Sequence, residues 1–287
     1  MFLQLLVNGL IAGAIYALVA AGFSLIYSIC KFIHFAHGSV IAVSAYILYF
    51  FFSMLGLNFW ISVILTVLSA SLFGIFFNYI YHQLRKRKAS NVILLIASFA
   101  LLILFESLIL IFFGADVKTI GFVKIAKGIE IFGAIITPLQ IAIVVCSILL
   151  FFLLFLLMKK TKIGKAMRAV SDNKDVAEIV GISSEKIYMH AFIIGSAIAG
   201  VAGILVGMEQ NLEPTMGMNL MIKGFTGAVI GGIGNVPGAI VGSFLLGLAE
   251  NFGIWYLPSG YKDAIAFGIL FLFLLFRPQG ILGIKKK

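Results

Sequence analysis

The sequence predicts an all-α integral membrane protein of eight or nine transmembrane or broken helices, arranged as an inverted repeat of four plus four around a central span. Three observations predict this. Of its 287 residues 62% are hydrophobic and 11% charged, where a soluble domain is closer to half apolar and a quarter charged. Lipid must therefore solvate most of the chain. Several apolar stretches reach the ~20 residues that a helix needs to cross a bilayer. Two of them carry small residues at every fourth position, a pattern that lets helix backbones approach closely.

The first span covers residues 5–27; no Lys or Arg precedes it, so it lacks the basic flank of a secretory signal and is read as a retained helix. Residues 35–52, 60–84, 92–113 and 137–158 supply four more spans, and 189–208 a sixth. The Gly-rich piece 217–233 reads as a short or broken helix that either crosses or re-enters. Asn235-Val236-Pro237-Gly238 reads as a turn, and 238–252 and 264–276 as the last two helices.

The net charge of +10 sets direction. Lys31, the run Arg85-Lys86-Arg87-Lys88, seven residues between Lys159 and Lys186, Arg277 and Lys285 to Lys287 make 16 of the 21 basic residues, all in segments flanking spans. Basic loops face the cytoplasm, so the charge is topological and nucleic acid is not the expected partner. Lys118, Lys124, Lys127, Lys223 and Lys262 share their segments with most of the acids. With the basic segments inside, the path closes in nine passes with the amino terminus outside.

The repeat is read from Gly9, Gly13, Ala17 and Ala21 in the first span against Gly195, Ala199, Gly203 and Gly207 in the sixth. Each stripe is followed by an interruption, Phe35-Ala36-His37-Gly38 and Phe225-Thr226-Gly227-Ala228, and then by two spans. Opposite starting directions make the repeat inverted, the arrangement of transporters with a path near the midplane. A single domain over 1–287 then divides into a first repeat (1–113), an external loop (114–136), the central span (137–158), a cytoplasmic loop (159–188) and a second repeat (189–287).

Enzyme chemistry has little footing. No phosphate-binding Gly-x-x-x-x-Gly-Lys-Ser/Thr loop, His-Glu-x-x-His helix or Gly-x-Ser-x-Gly elbow occurs. Cys30 and Cys146 lack disulfide or metal spacing, and His34, His37, His82 and His190 fall at span ends. No catalytic residue, cofactor or metal site is expected. Glu106 is an isolated acid within a span; ionised in hydrocarbon it costs at least ~2.5 kcal/mol, so it should face either a polar neighbour or a wet path. His37, Glu209 and Glu250 stand near span ends, where they either snorkel or meet substrate. Backbone at the Gly-rich breaks, Gly38, Phe225, Gly231 and Gly232, is equally placed to line a path.

The loop 159–188 holds a short helical pattern. Asp172 or Asn173 can cap it, Val176, Ile179 and Val180 share a face, and Gly181 can end it. That face either enters a partner's groove or packs on the protein's own spans.

Gly9-Leu10, Gly13, Tyr16-Ala17-Leu18, Gly22, Leu25-Ile26-Tyr27 and Phe35-Ala36-His37-Gly38 resemble the amino-terminal signature of branched-chain amino-acid ABC permeases, with His34 where that pattern has Asn. Thr161, Gly164, Ala166-Met167-Arg168-Ala169, Ala177 and Gly181-Ile182 resemble its loop signature. Ala199-Gly200-Val201-Ala202-Gly203, Phe225, Gly231 to Ala239, Glu250, Tyr261-Lys262-Asp263 and Arg277-Pro278-Gln279-Gly280 resemble the third. The resemblance covers almost the whole chain and is closest to the shorter, LivH-type permease.

It implies an inner-membrane importer of leucine, isoleucine or valine, with urea and short-chain amide importers similar in pattern. A stand-alone carrier coupled through Glu106 is the contrasting class. Implied partners are a second homologous permease, two cytoplasmic ATPases that use ATP and Mg, and an extracytoplasmic binding protein. Gly164, Arg168, Val176, Ala177, Ile179, Val180, Gly181 and Ile182 would then form the coupling segment.

Overall fold

A computed structural model describes residues 1–122, 128–131 and 133–283. Lys124, Lys127 and Lys285 to Lys287 lie outside the described residues. The helices are α1 (Phe2–Cys30), α2 (His37–Leu48, continued by a π-helical turn Tyr49–Met54), α3 (Phe59–Lys86) and α4 (Asn91–Phe113), then α5 (Pro138–Lys160), α6 (Lys162–Asp172) and α7 (Lys174–Ile179). They continue as α8 (Ser184–Glu209), α9 (Met216–Gly231), α10 (Val236–Gly253) and α11 (Lys262–Phe276). Between α4 and α5 the otherwise helical chain inserts a small hairpin, β1 (Ile129–Ile131) and β2 (Ala134–Ile136). Eight helical segments among the described residues are long and apolar enough to cross a bilayer. The ninth, α9, has 16 residues, about 24 Å at 1.5 Å per residue, short of a full hydrocarbon core.

Local chemistry sets the boundaries. Asn58 and Ser90 cap α3 and α4 through side-chain oxygens. Thr137 and Gln140 form a reciprocal capping box at α5, with Pro138 in the first turn where no amide hydrogen is needed.

Two expectations at the Gly-rich region are corrected. The helix is not broken at Phe225-Thr226-Gly227-Ala228, which lies inside continuous α9. Its glycines cost helix propensity, but close packing offsets this: Gly224 meets Val19 of α1 and Gly227 meets Ser243 of α10. The interruption falls earlier, over residues 210–215. Nor is Asn235-Val236-Pro237-Gly238 a turn. The Asn235 side chain accepts from the Gly238 N–H at 3.2 Å, capping a helix that starts at Val236; the chain reverses just before it.

α1 and α8 form the buried centre. α1 packs along α10 and α8 along α3; α2 packs on α8 and α9 on α1; α4 lies on α2 and α11 on α9. The N-terminal turns of α2 and α9 abut at Gly38 and Gly217, where a Cβ on either would strike the other's backbone carbonyl. Only glycine permits that approach.

The helix ends sort into two groups. Gln4 bonds to Ile135, Ser53 to Ile120, Lys118 to Leu212 and Gln140 to Glu209, gathering one end with the amino terminus. At the other, Ser171 bonds to Ser28, Asn91 to the Lys31 carbonyl and His82 to Glu185. Arg85 there stacks on Tyr188. Lys31, the Arg85–Lys88 run and the loop between α5 and α8 thus share one end of the molecule.

Candidate functional site

Four ionisable or polar side chains from four helices meet toward the amino-terminal end: Tyr16 of α1, Lys223 of α9, Glu250 of α10 and Asp263 of α11. Glu250 is fully buried. It accepts a 2.7 Å hydrogen bond from the Tyr16 hydroxyl, and the Lys223 ammonium stands 3.2 Å from its other oxygen. Lys223 also lies 2.9 Å from Asp263 and donates to the Tyr16 hydroxyl at 3.2 Å. A buried carboxylate persists only when paired and hydrogen-bonded, and Glu250 has both. Tyr16, Lys223 and Asp263 line a cleft of about 330 Å³ together with Gln210, Asn211, Glu213 and Asn219, with Glu250 buried behind them.

Glu250 is therefore no snorkelling span-end residue. Lys223 and Asp263 were not legible as site residues, although Lys223 carried a signal: an ionisable residue inside an apolar stretch marks function by default. Tyr16 and Asp263 offered no chemical signal beyond the family pattern.

The other proposed path residues scatter. His37 stands at a span end, as the first residue of α2, but is fully buried, its ring against Gly22. His34 lies 6.2 Å away, ring to ring, and shares a 2.9 Å hydrogen bond with Tyr81. Gly38 is used for helix contact. Phe225 packs between Phe23 and Phe35. Gly231 meets the Gly238 backbone and Gly232 the segment from Gln279 to Gly283, so both serve close backbone packing. Glu106, half-buried on α4, makes no hydrogen bond or ion pair among the described residues. Glu209 bonds to Gln140 at 2.9 Å. Among the described residues no three His, Cys, Asp or Glu side chains gather as a metal site.

The small-residue positions all sit at helix contacts: Gly9 against Leu248, Gly13 against Phe244, Gly195 against Ile26 and Gly203 against Ile41, with Ala199 fully buried.

In the loop between α5 and α8, α6 is packed on the protein, while the Val176, Ile179 and Val180 face is exposed. α6 packs on its own spans through Gly164, Met167 and Val170, while Arg168 stays exposed. In α7 Asn173, not Asp172, is the cap, accepting from the N–H groups of Asp175 and Val176 at 3.0 and 3.1 Å. Gly181 follows with φ +85°, a left-handed turn open to glycine at no steric cost. The Ile182 N–H then bonds to the Ala177 carbonyl. Ala177 is buried and faces the protein, whereas Val176, Ile179 and Val180 are 54, 83 and 69% exposed.

Membrane-length helices packed through glycine, an ion-paired polar cleft between them and a projecting apolar helix on the basic end define a multi-pass membrane permease. The model of the family described as "Branched-chain amino acid transport system / permease component" matches residues 5–274, and the chain belongs to this family, as a LivH-like ABC permease. It is 37% identical to the high-affinity branched-chain amino acid transport system permease protein BraD of Pseudomonas aeruginosa, over 98% of this chain and 96% of that one. It is 32% identical to the corresponding LivH protein of Salmonella typhimurium over the same shares. The solved structure of PsaBC from Streptococcus pneumoniae in complex with Fab shares the fold, with a TM-score of 0.50 at 15% identity over 95% of this chain and 91% of that one.

Proposed function

We propose that this chain is the membrane subunit of an inner-membrane importer that carries leucine, isoleucine and valine inward, driven by ATP and Mg in two cytoplasmic ATPase partners. The observation that carries the coupling role is α7, six residues long, whose Val176 and Ile179, with Val180 just after it, are exposed at the end of the molecule where the basic segments gather. Apolar side chains left in water fit a groove on a soluble partner. The names of the relatives support the substrate class. A second homologous permease completes the path, and an extracytoplasmic binding protein delivers substrate to the end that carries the polar cleft.

We further read α1–α4 and α8–α11 as inverted repeats. The pairings support it: α1 on α10 exchanges with α8 on α3, α1 on α9 with α8 on α2, and α2 on α4 with α9 on α11. Gly38 and Gly217, each the second residue of its helix, meet reciprocally. Closure of the ATPases would move α7 and rock one repeat against the other, opening the path to alternate sides.

The test is reconstitution. This chain, a second permease, the ATPases and the binding protein in proteoliposomes should accumulate leucine only with ATP. Uptake by this chain alone under an ion gradient would overturn the assignment in favour of a secondary carrier.

A further inference from the structure

Lys223 is shared between two carboxylates of unlike character. Glu250 is fully buried and locked by Tyr16, whereas the Asp263 side chain is 71% exposed at the start of α11 and held by Lys223 alone among the described residues. The Lys223–Asp263 contact forms part of the lining of the cleft, and Met216 and Leu220 supply apolar wall beside it. One half of the network is therefore fixed and the other half can part.

From this geometry we infer that the cleft is an entrance site for the zwitterionic head of an aliphatic α-amino acid; the inference rests on the importer reading above. Parting Lys223 from Asp263 frees the Asp263 carboxylate and one side of the Lys223 ammonium, which keeps its pair with Glu250. An α-amino acid supplies a carboxylate for Lys223 and an ammonium for Asp263, so both charges are paired again and the net charge of the site is unchanged. Glu250 holds the Lys223 ammonium in place during the exchange. Urea brings no charge and leucinamide only its ammonium, so neither supplies the carboxylate that Lys223, still paired with Glu250, takes in place of Asp263. The site thus selects amino acids over molecules that lack the carboxylate by its own electrostatics. The aliphatic side chain lies against Met216 and Leu220.

The experiment uses the assembled transporter in proteoliposomes, with Cys146→Ser removing the partly exposed thiol and Asn211→Cys placing one on the exposed rim of the cleft. Labelling by a charged maleimide is followed with leucine, leucinamide or urea present. Leucine at about ten times its Kd should slow labelling about tenfold, the factor 1 + [L]/Kd. Leucinamide and urea at the same concentration should not. Lys223→Met should abolish protection while unprotected labelling keeps its rate. Asp263→Asn, at an exposed position that leaves the Lys223–Glu250 pair intact, should do the same if Lys223→Met does not fold. Absence of protection by leucine, equal protection by leucinamide or urea, or protection that survives Asp263→Asn would each overturn the inference. ATP-driven leucine uptake by the same vesicles keeps the two readings apart: uptake without protection sinks only this site, and no uptake sinks the importer reading.

Discussion

Ile179→Asp is the substitution that tests coupling. The exposed fractions of Val176, Ile179 and Val180 together amount to about two fully exposed aliphatic side chains, whose complete burial on a partner would contribute about 3–6 kcal/mol. Ile179, the most exposed of the three, accounts for about 2 kcal/mol, and an aspartate there would add the cost of desolvating a carboxylate. Loss of about 2 kcal/mol weakens docking about 30-fold. Titrating purified ATPase subunits onto the detergent-solubilised permease pair should show that weakening, and ATP-driven leucine uptake should fall with it. Because Ile179 touches little of its own chain, thermal stability should not move. Ala177 is the wrong place to probe docking, since it is buried against the protein. Unchanged ATPase affinity and unchanged uptake in Ile179→Asp would refute the docking of α7.

Other substitutions probe the interior. Glu250→Gln leaves Lys223 with Asp263 as its only carboxylate partner and should lower stability by about 3 kcal/mol, the scale for breaking a buried pair; thermal melts in detergent should show it, with Lys223→Met in the same chain restoring part of the loss. Gly217→Leu must push α2 and α9 apart at Gly38 and should cost at least the ~1–3 kcal/mol typical of overpacking; an unchanged melting temperature would mean that this contact is not formed in the membrane. Glu106→Gln removes an intramembrane acid that has no ion pair among the described residues and costs at least ~2.5 kcal/mol when ionised, so a higher melting temperature with leucine uptake retained is expected. Loss of uptake would instead put Glu106 on the path.

The spans were legible because lipid imposes a simple rule. A backbone without water must bond to itself, so long apolar runs become helices, and residues 92–113, for example, become α4 with ends at Asn91 and Phe113. The cap at Asn173 and the stop at Gly181 were legible for a similarly local reason, since each acts within one turn of its own helix. The Gly-rich stretch is the short helix its sequence allows, but the break does not fall at Phe225-Thr226-Gly227-Ala228, because glycine's cost is local while its benefit is tertiary. Nothing near Gly224 or Gly227 in sequence announces Val19 or Ser243.

The sequence by itself determined a lipid-solvated helical protein, the gathering of its basic segments in loops between spans, the short loop helix, and a family pattern running nearly end to end. Only the tertiary structure decided which breaks are filled by backbone, which face of the loop helix is free, and where charge enters the core. Tyr16 and Glu250 are 234 residues apart in sequence and 2.7 Å apart in space. An ion pair depends on distance in three dimensions, and periodicity along a helix carries no information about which other helix stands beside it.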